Sequence, residues 1–285
     1  LYLLSGMTLF DSIAHSLSTV AGGGFSTHDE SIGFFDSSLI EAVCIIFMLL
    51  SAASFAVHYA AIFGGKPLKY FYDSEFRFFL FVVLLIIILS LIIHIVSNSY
   101  TDVFSAIGSS IFHAVSIVTT SGFTTENFSL WPGFLPYLLL VGAFMGACSQ
   151  SVGGGIKAWR VLIMINQAYK EILKTIHPNA VLTSKIGTKV IDAKIAEKVW
   201  GFFSIYVFIF MLLLMAMLGT GLSFETAFSA VGACLNNLGP GLGDVASNYT
   251  NVNEFGKFIL CFAMILGRLE IFTLLVLFTP AFWRR

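Results

Sequence analysis

Apolar stretches of two lengths alternate with short polar segments along the whole chain. The long ones cover residues 38–64, 76–96, 199–218 and 255–280 and consist mostly of Ile, Leu, Val, Phe and Ala. About 20 helical residues, each rising 1.5 Å, cross a hydrocarbon core of roughly 30 Å. Each long stretch is therefore predicted to span a membrane.

The short stretches, residues 1–20, 103–118 and 223–236, are predicted to be helices that enter the membrane without crossing it. Each runs into a small polar motif: Ala-Gly-Gly-Gly-Phe-Ser-Thr from Ala21, Thr-Thr-Ser-Gly-Phe-Thr-Thr from Thr119 and Asn-Asn-Leu-Gly-Pro-Gly from Asn236. The first two motifs follow His15 and His113 at the same spacing. Such repetition indicates a site built by internal symmetry.

A further apolar stretch, residues 133–169, is interrupted at its centre. Residues 146–155 read Gly-Ala-Cys-Ser-Gln-Ser-Val-Gly-Gly-Gly. Irregular backbone at membrane depth is tolerated where it is buried in protein or lines a watery cavity, and adjacent glycines give hinge freedom. The interruption predicts an intramembrane loop, with a plain helix kink as the alternative.

Charge supports a membrane protein and sets its orientation. Hydrophobic residues make up 57% of the chain and charged residues 11%, against roughly 25% charged in soluble domains. Lys and Arg are absent from residues 1–65, 78–156 and 199–256. Because basic loops stay on the cytoplasmic side, the basic loops and the C-terminal end are predicted to be cytoplasmic, with the three motifs opening outward. The net charge of −1 argues against nucleic acid as a partner.

The chemistry of the three motifs suits a monovalent cation. Backbone carbonyls can replace an ion's hydration shell, glycine allows the backbone that aims them at one axis, and a helix C-terminus carries about −0.5 charge. The motifs contain no acidic residue, whereas Ca²⁺ and Mg²⁺ usually recruit carboxylates. Ion permeation is therefore predicted. An intramembrane enzyme is the alternative from another class, but the HExxH and GxSxG motifs are absent, so the chain is predicted not to be an enzyme.

Taken together, the motifs resemble the Trk/Ktr/HKT superfamily of potassium transporters. The segment Ser-Gln-Ser-Val-Gly-Gly-Gly-Ile-Lys-Ala-Trp-Arg from Ser149, with Gly267-Arg268-Leu269-Glu270, resembles the bacterial TrkH/TrkG type. The resemblance implies K⁺ uptake, passive or by symport, across the bacterial inner membrane, with K⁺ as the transported ion and no organic cofactor. It also implies a homodimer, a cytoplasmic nucleotide-binding regulatory subunit of the TrkA type and contact with membrane lipid. A Na⁺- or NH₄⁺-permeating member of the same family is the alternative.

The predicted fold is an all-α polytopic membrane protein of repeated membrane–pore-helix–membrane units, incomplete in its first part. Residues 1–64 form a second repeat without its first span, and residues 65–169 a third repeat, broken at 146–155. Residues 170–198 form a basic cytoplasmic linker, and residues 199–285 the fourth repeat. The resemblance implies four such repeats, so the chain is expected to be the C-terminal part of a longer protein, with a second chain that supplies the missing repeat as the alternative. Alone it is expected not to conduct selectively.

The resemblance also assigns site residues. The selectivity filter is expected at Val20, Ala21, Gly22, Gly23, Thr119, Thr120, Ser121, Gly122, Asn236, Asn237, Leu238 and Gly239. In the first loop the position equivalent to Gly122 is open between Gly23 and Gly24, and the register of the last loop is open by one residue. K⁺ is expected to contact Ala21, Gly22, Thr119, Thr120, Asn236 and Asn237. The gate is expected to comprise Gly146, Ser149, Gln150, Gly153, Gly154, Gly155, Lys157 and Arg268.

Overall fold

The protein folds as a helical bundle, which we describe from a computed structural model that covers residues 1–179, 183–187 and 189–284. In chain order its α-helices are α1 Leu9–Val20, α2 Ser38–Ala52, α3 Phe55–Ile62, α4 Lys69–Tyr72, α5 Ser74–Val96, α6 Val103–Val118, α7 Leu135–Met145, α8 Ala158–Ile176, α9 Ala193–Leu218, α10 Phe224–Leu235, α11 Glu254–Arg268, α12 Ile271–Leu277 and α13 Pro280–Trp283. Short 3₁₀ helices cover Ser31–Phe35, Phe128–Leu130 and Gly243–Val245, and strands β1 Lys185–Ile186 and β2 Lys189–Val190 form a small antiparallel hairpin. The predicted all-α fold class is confirmed.

Within the described residues, α5 and α9 are the unbroken helices that are long and apolar enough to cross a membrane. Large apolar side chains on both helices face outward, among them Phe81, Leu84, Phe208 and Met211. Each of the two helices is followed in the chain by a short helix and then by a second span. We call the end of the bundle where α5 and α9 begin the basic face, and the end where they finish the acidic face.

The other two predicted spans are bent. Helices α2 and α3 meet at 101°, and α11 and α12 meet at 109°. The sequence predicted one uninterrupted helix in each place. At the first bend, the Cys148 N–H donates to the Ala52 carbonyl (3.1 Å) and the Phe55 N–H donates to the Gln150 carbonyl (3.0 Å). Hydrogen bonds to another segment thus replace those that would continue the helix, which is why the bend has no glycine or proline signal. At the second bend, Glu270 adopts a φ of 59°.

Two apolar cores hold the short helices in place. One packs α6 against α2, α5 and α7, around Met48, Phe79, Phe112 and Leu139. The other packs α10 between α9 and α11. Helices α6 and α10 are therefore enclosed by spans, whereas α1 packs against α2 and leaves Leu17 and Val20 exposed. The order span, short helix and span recurs as predicted, while the repeat boundaries at residues 64, 169 and 198 stay predictions.

Candidate functional site

The short helices α1, α6 and α10 end in the same way. Each is capped by a residue in the right-handed conformation, and the next residue has a positive φ: Gly22 (60°), Thr120 (58°) and Asn237 (55°). Two residues later a glycine again has a positive φ: Gly24 (67°), Gly122 (82°) and Gly239 (104°). Non-glycine residues rarely adopt this conformation, so its occurrence at Thr120 and Asn237 indicates a path imposed by the fold. One backbone path is used three times.

This shared path determines which residues are equivalent. The helix caps are Ala21, Thr119 and Asn236. In the last two loops the equivalent residues are therefore 119–122 and 236–239, the sets chosen from the sequence. In the first loop they are 21–24, not the predicted 20–23. Val20 is the last residue of α1 and is 57% exposed, and Gly24, not Gly23, takes the position of Gly122. The difference arises because three adjacent glycines gave no sequence signal for the register.

The three loops touch one another in chain order. A Cβ at Gly24 would overlap the carbonyl oxygen of Ser121, and a Cβ at Gly122 would overlap that of Leu238. The glycine at one equivalent position, Gly24 or Gly122, thus contacts the carbonyl of the residue before that position in the next loop, Ser121 or Leu238. At Gly239, the third member of this set, no described atom lies within 4 Å of the Cβ position. Consecutive loops therefore meet through one repeated contact, and the third loop has an open side.

A large cavity occupies the sector between the first and third loops. Its volume is about 890 Å³, and it lies between α1 on one side and α10 and α11 on the other, next to Gly22 and Gly239. Its walls are mostly apolar, with Leu17, Leu260 and Met264 among them. The three loops and this cavity together surround a centre.

Side chains behind each loop fix the outgoing backbone. The Ser116 hydroxyl donates to the Phe123 carbonyl (2.6 Å), and Ser229 bonds both backbone groups of Leu242 at 2.9 and 3.2 Å. His15 lies 2.8 Å from the Asp11 carbonyl oxygen and 2.9 Å from the Ser26 hydroxyl. These contacts hold in place the backbone that leaves each loop.

The interruption between α7 and α8 forms a compact loop, residues 146–157, which we call the intramembrane loop. Its ends are tied together: the Ile156 N–H donates to the Phe144 carbonyl and the Ala158 N–H donates to the Ala147 carbonyl, both at 3.0 Å. At this neck, a Cβ at Gly155 would lie 2.6 Å from the Gly146 Cα. The two glycines therefore pack backbone to backbone, which requires the absence of side chains.

The tip of the intramembrane loop presses against the helix caps of two filter-like loops. A Cβ at Gly153 would lie 2.7 Å from the Thr119 carbonyl oxygen, and one at Gly154 would lie 2.9 Å from the Asn236 carbonyl carbon. The Gly154 N–H also donates to the Thr120 hydroxyl. The loop is thus seated directly beneath the filter-like loops, on the side of the basic face.

Cationic side chains surround the same loop. Arg268, at the end of α11, donates to the Val152 carbonyl at 3.0 Å, and the Lys157 ammonium donates to the Gly153 carbonyl. Glu270, two residues after Arg268, pairs with Arg160 at 3.0 Å. A cavity of about 490 Å³ separates the loop from α11 and α12. Arg268 therefore connects the end of α11 to the intramembrane loop.

Seven of the eight predicted gate residues lie on this one segment, and the eighth, Arg268, contacts it from α11. Gly146, Gly153, Gly154, Gly155 and Lys157 lie in the loop as described, and Ser149 and Gln150 lie in its first half. The Ser149 N–H donates to the Glu75 carboxylate, and Gln150 is exposed with a φ of 57°. Sequence reasoning missed Glu75, because its partner lies 74 residues away.

An acidic network on the outer side anchors the second filter-like loop. The Glu126 carboxylate accepts hydrogen bonds from Tyr100, Ser109 and the Trp131 indole, the last at 3.0 Å. Partial burial acts to raise the pKa of Glu126, but the hydrogen bonds from Ser109 and Tyr100 outweigh it and lower the pKa below its ordinary value. His113, fully buried, lies 3.3 Å from the Glu126 carbonyl oxygen. Glu126 is thus an ionised clamp for this loop.

A cavity of about 530 Å³ at the acidic face is lined by all three loops. Gly24, Gly122 and Gly239 line it together with Asp29 and Glu30. In the described part of the chain, no group of three or more His, Cys, Asp or Glu residues is placed to hold a metal ion. The loop residues 21–24, 119–122 and 236–239 carry no charged side chain.

Three re-entrant helices that converge on one centre, with glycine-rich loops and uncharged oxygens, define a polytopic membrane protein with a channel-like site. The chain belongs to the TrkH family, described as cation transport protein, whose profile matches residues 3–285. The family consists of cation transporters, and the family resemblance deduced from the motifs is confirmed.

Several potassium uptake proteins are similar over nearly the whole chain. The Trk system potassium uptake protein TrkH of Halomonas elongata is 50% identical over 285 residues, covering 100% of this chain and 59% of the relative. TrkH of Vibrio parahaemolyticus is 46% identical over 99% of this chain and 59% of the relative. The crystal structure of the potassium transporter TrkH from Vibrio parahaemolyticus matches with a TM-score of 0.95, covering 99% of this chain and 61% of that one. The chain thus spans about three fifths of the length of these relatives.

Proposed function

We propose that residues 1–285 supply three of the four sectors of a potassium-conducting pore that takes up K⁺ across the bacterial inner membrane. The observation that carries the proposal is the repeated contact between consecutive loops, in which Gly24 meets Ser121 and Gly122 meets Leu238. The open side at Gly239 and the cavity of about 890 Å³ beside it leave room for one more loop. The greater length of the relatives and their names as potassium uptake proteins support this arrangement.

In this proposal the ion is held by uncharged oxygens of the three loops. The helix caps Ala21, Thr119 and Asn236 present the innermost carbonyls, and the residues after them present the next row. The partial negative charge of each helix C-terminus favours a cation at this level. Carbonyl ligands replace the hydration shell without the cost of a buried fixed charge. K⁺ is the transported substrate, and no organic cofactor takes part.

The intramembrane loop is proposed to be the gate. It occupies the ion's exit from the innermost carbonyls, because Gly153 and Gly154 lie against Thr119 and Asn236. The Lys157 ammonium and the Arg268 guanidinium add positive charge at the loop, which opposes the passage of a cation. Opening requires the loop to retreat from the filter, and the cavity of about 490 Å³ behind it provides space.

The surroundings follow from the same proposal. The acidic face is external, and the basic face, with segment 170–198, is cytoplasmic. The regulatory partner is a nucleotide-binding subunit of the TrkA type, in keeping with the Trk-system names of the relatives. A homodimer in contact with membrane lipid is the proposed assembly.

The test uses a chimera in which residues 1–285 replace the matching portion of the Vibrio parahaemolyticus relative, expressed in a host that lacks K⁺ uptake. The Cβ of an alanine at position 122 would lie 3.1 Å from the Leu238 carbonyl carbon and would overlap the carbonyl oxygen. The alanine would also have to adopt a φ of 82°. We expect the parent chimera to restore growth at low K⁺ and Gly122→Ala to abolish it. The matched control is Gly108→Ala, on α6, where no described atom lies within 4 Å of the Cβ position. Equal growth of the two variants would contradict the proposal.

A further inference from the structure

Glu75 is a buried carboxylate that the conduction pathway itself does not use. It lies in the first turn of α5, at the basic face, and is 9% exposed. Among the basic side chains that the structure describes, which do not include that of Lys189, no nitrogen lies within 4.0 Å of its carboxylate. A carboxylate held away from water without a cation needs hydrogen-bond donors, and the structure supplies two backbone groups.

Those two donors come from opposite ends of the intramembrane loop. One oxygen, Oε1, accepts the Ser149 N–H and also the Trp159 N–H, the latter at 3.2 Å. Ser149 lies near the start of the loop, and Trp159 is the second residue of α8. The first N–H groups of a helix have no partner within the helix and carry partial positive charge, so the carboxylate also stabilises the N-terminus of α8. A single side chain of the preceding span therefore fixes both ends of the loop.

The small hairpin β1–β2 reaches the same place. The turn residue Gly187 contacts Ser74, the neighbour of Glu75, and a Cβ there would lie 3.5 Å from the Ser74 Cβ. Ile186 is buried, and it packs in a cluster with Ile163 of α8 and Val199 of α9. Ile186, Ser74, Glu75 and Ser149 also line one cavity of about 450 Å³. The basic segment between α8 and α9 thus touches the residue pair that holds the loop.

We propose that Glu75 is a positioning residue that latches the intramembrane loop in its blocking position, and that the β1–β2 hairpin acts on this latch through Ser74. Displacing the hairpin moves the start of α5, lengthens the Glu75 bonds to Ser149 and Trp159, and frees the loop to leave the innermost carbonyls. The proposal rests on the proposed function for its consequence in ion flow. The latch itself concerns only the position of the loop.

Two measurements on the same chimera separate these points. The first is the rate at which a thiol reagent modifies Val152→Cys, in a background whose four native cysteines are replaced. Val152 is half-buried between Gly22 and Arg268, so its exposure reports on the loop. The second is Rb⁺ flux into proteoliposomes. Both measurements are carried out on three variants: Glu75→Ala, Glu75→Gln and Glu197→Ala. The Gln side chain keeps one acceptor oxygen. Glu197 is an exposed glutamate near the N-terminal end of α9, as Glu75 is near the N-terminal end of α5, and it serves as the matched control.

We expect Glu75→Ala to raise the modification rate about tenfold, as for the loss of one charged hydrogen-bond acceptor. Glu75→Gln is expected to fall between Glu75→Ala and the parent, and Glu197→Ala to match the parent. Flux is expected to rise in the same order. Equal modification rates in all variants would overturn the latch. If Glu75→Ala does not yield folded protein, the comparison of Glu75→Gln with Glu197→Ala decides. A changed modification rate without Rb⁺ flux in any variant would support the latch and refute the proposed function instead.

Discussion

Alanine at position 153 is predicted to open the pore by pushing the intramembrane loop away from the filter. Gly153 has no positive φ, so alanine adds a methyl group without backbone strain. That methyl group would lie 2.5 Å from the Ala147 Cβ within the loop and 2.7 Å from the Thr119 carbonyl oxygen, where ordinary contact begins at 3.4 Å. Thr119 is buried at the end of a buried helix, whereas Val152 and Ser151 are half-buried. The loop, which carries both Gly153 and Ala147, is therefore the part that yields: it repacks around Ala147 and moves away from Thr119.

The size of the effect follows from the cost of overpacking. An added methyl group in a close-packed site costs about 1–3 kcal/mol. The contact with Thr119 exists in the closed arrangement and not in the retracted one. If all of the cost came from this contact, the equilibrium would shift by about 5- to 150-fold toward the retracted state, and this range is the upper limit of the expected effect. The Gly154 hydrogen bond to Thr120 is expected to weaken in the same direction.

The assay is Rb⁺ uptake into proteoliposomes that contain the chimera, at equal protein density. Gly153→Ala is expected to raise the initial rate at least several-fold without changing the preference for K⁺ over Na⁺. Gly201→Ala is the control, since no described atom lies within 4 Å of its Cβ position on α9. A rate equal to or below that of the control would refute the assignment of the loop as the gate. A changed ion preference would instead show that the filter yielded.

Two further predictions concern the supports of the filter. Tyr206→Phe removes the hydroxyl that donates to the Asn236 side chain (2.8 Å). Because an unsatisfied buried acceptor costs about 1–3 kcal/mol, thermal stability and the preference for K⁺ over Na⁺ should both fall. The control is Tyr169→Phe on the exposed side of α8, and no change in either property relative to this control would argue against the support. Hydrogen bonds from Ser109 and Tyr100 lower the pKa of Glu126 in the folded state. Its ionised form therefore stabilises the folded state at pH values above the ordinary glutamate pKa of about 4.3. This stabilisation is lost as the pH falls through the lower pKa of the folded state. The melting temperature of Glu126→Gln should therefore lie below that of the parent at neutral pH and converge with it in acid; a constant difference at all pH values would contradict the clamp.

The main elements of the site could be predicted from the sequence because they depend on local chemistry. Glycine and hydroxyl residues after short apolar helices indicated the three loops, and three adjacent glycines indicated the break in the span after α7. The register of the first loop could not be predicted, because Gly22, Gly23 and Gly24 are indistinguishable without the end of α1. The structure supplies that end at Val20.

The missing features are those that depend on contacts between distant segments. Nothing near Ala53 predicts a bend of 101°, since the bend is stabilised by hydrogen bonds to Cys148 and Gln150. The roles of Glu75 and Tyr206 likewise depend on partners 74 and 30 residues away. An isolated carboxylate or phenol in an apolar helix gives no indication of such a partner.

In all three repeats, the span that follows the filter-like loop is broken partway along: between α2 and α3, between α7 and α8, and between α11 and α12. Backbone hydrogen bonds do not continue as a helix across these breaks, so a rotation of α3, α8 or α12 is not passed rigidly to the segment above it. Movements of the inner half can therefore alter throughput while the ligand geometry that discriminates among ions stays unchanged. We expect substitutions in these inner helices to change how fast ions pass and to leave unaltered which ions pass.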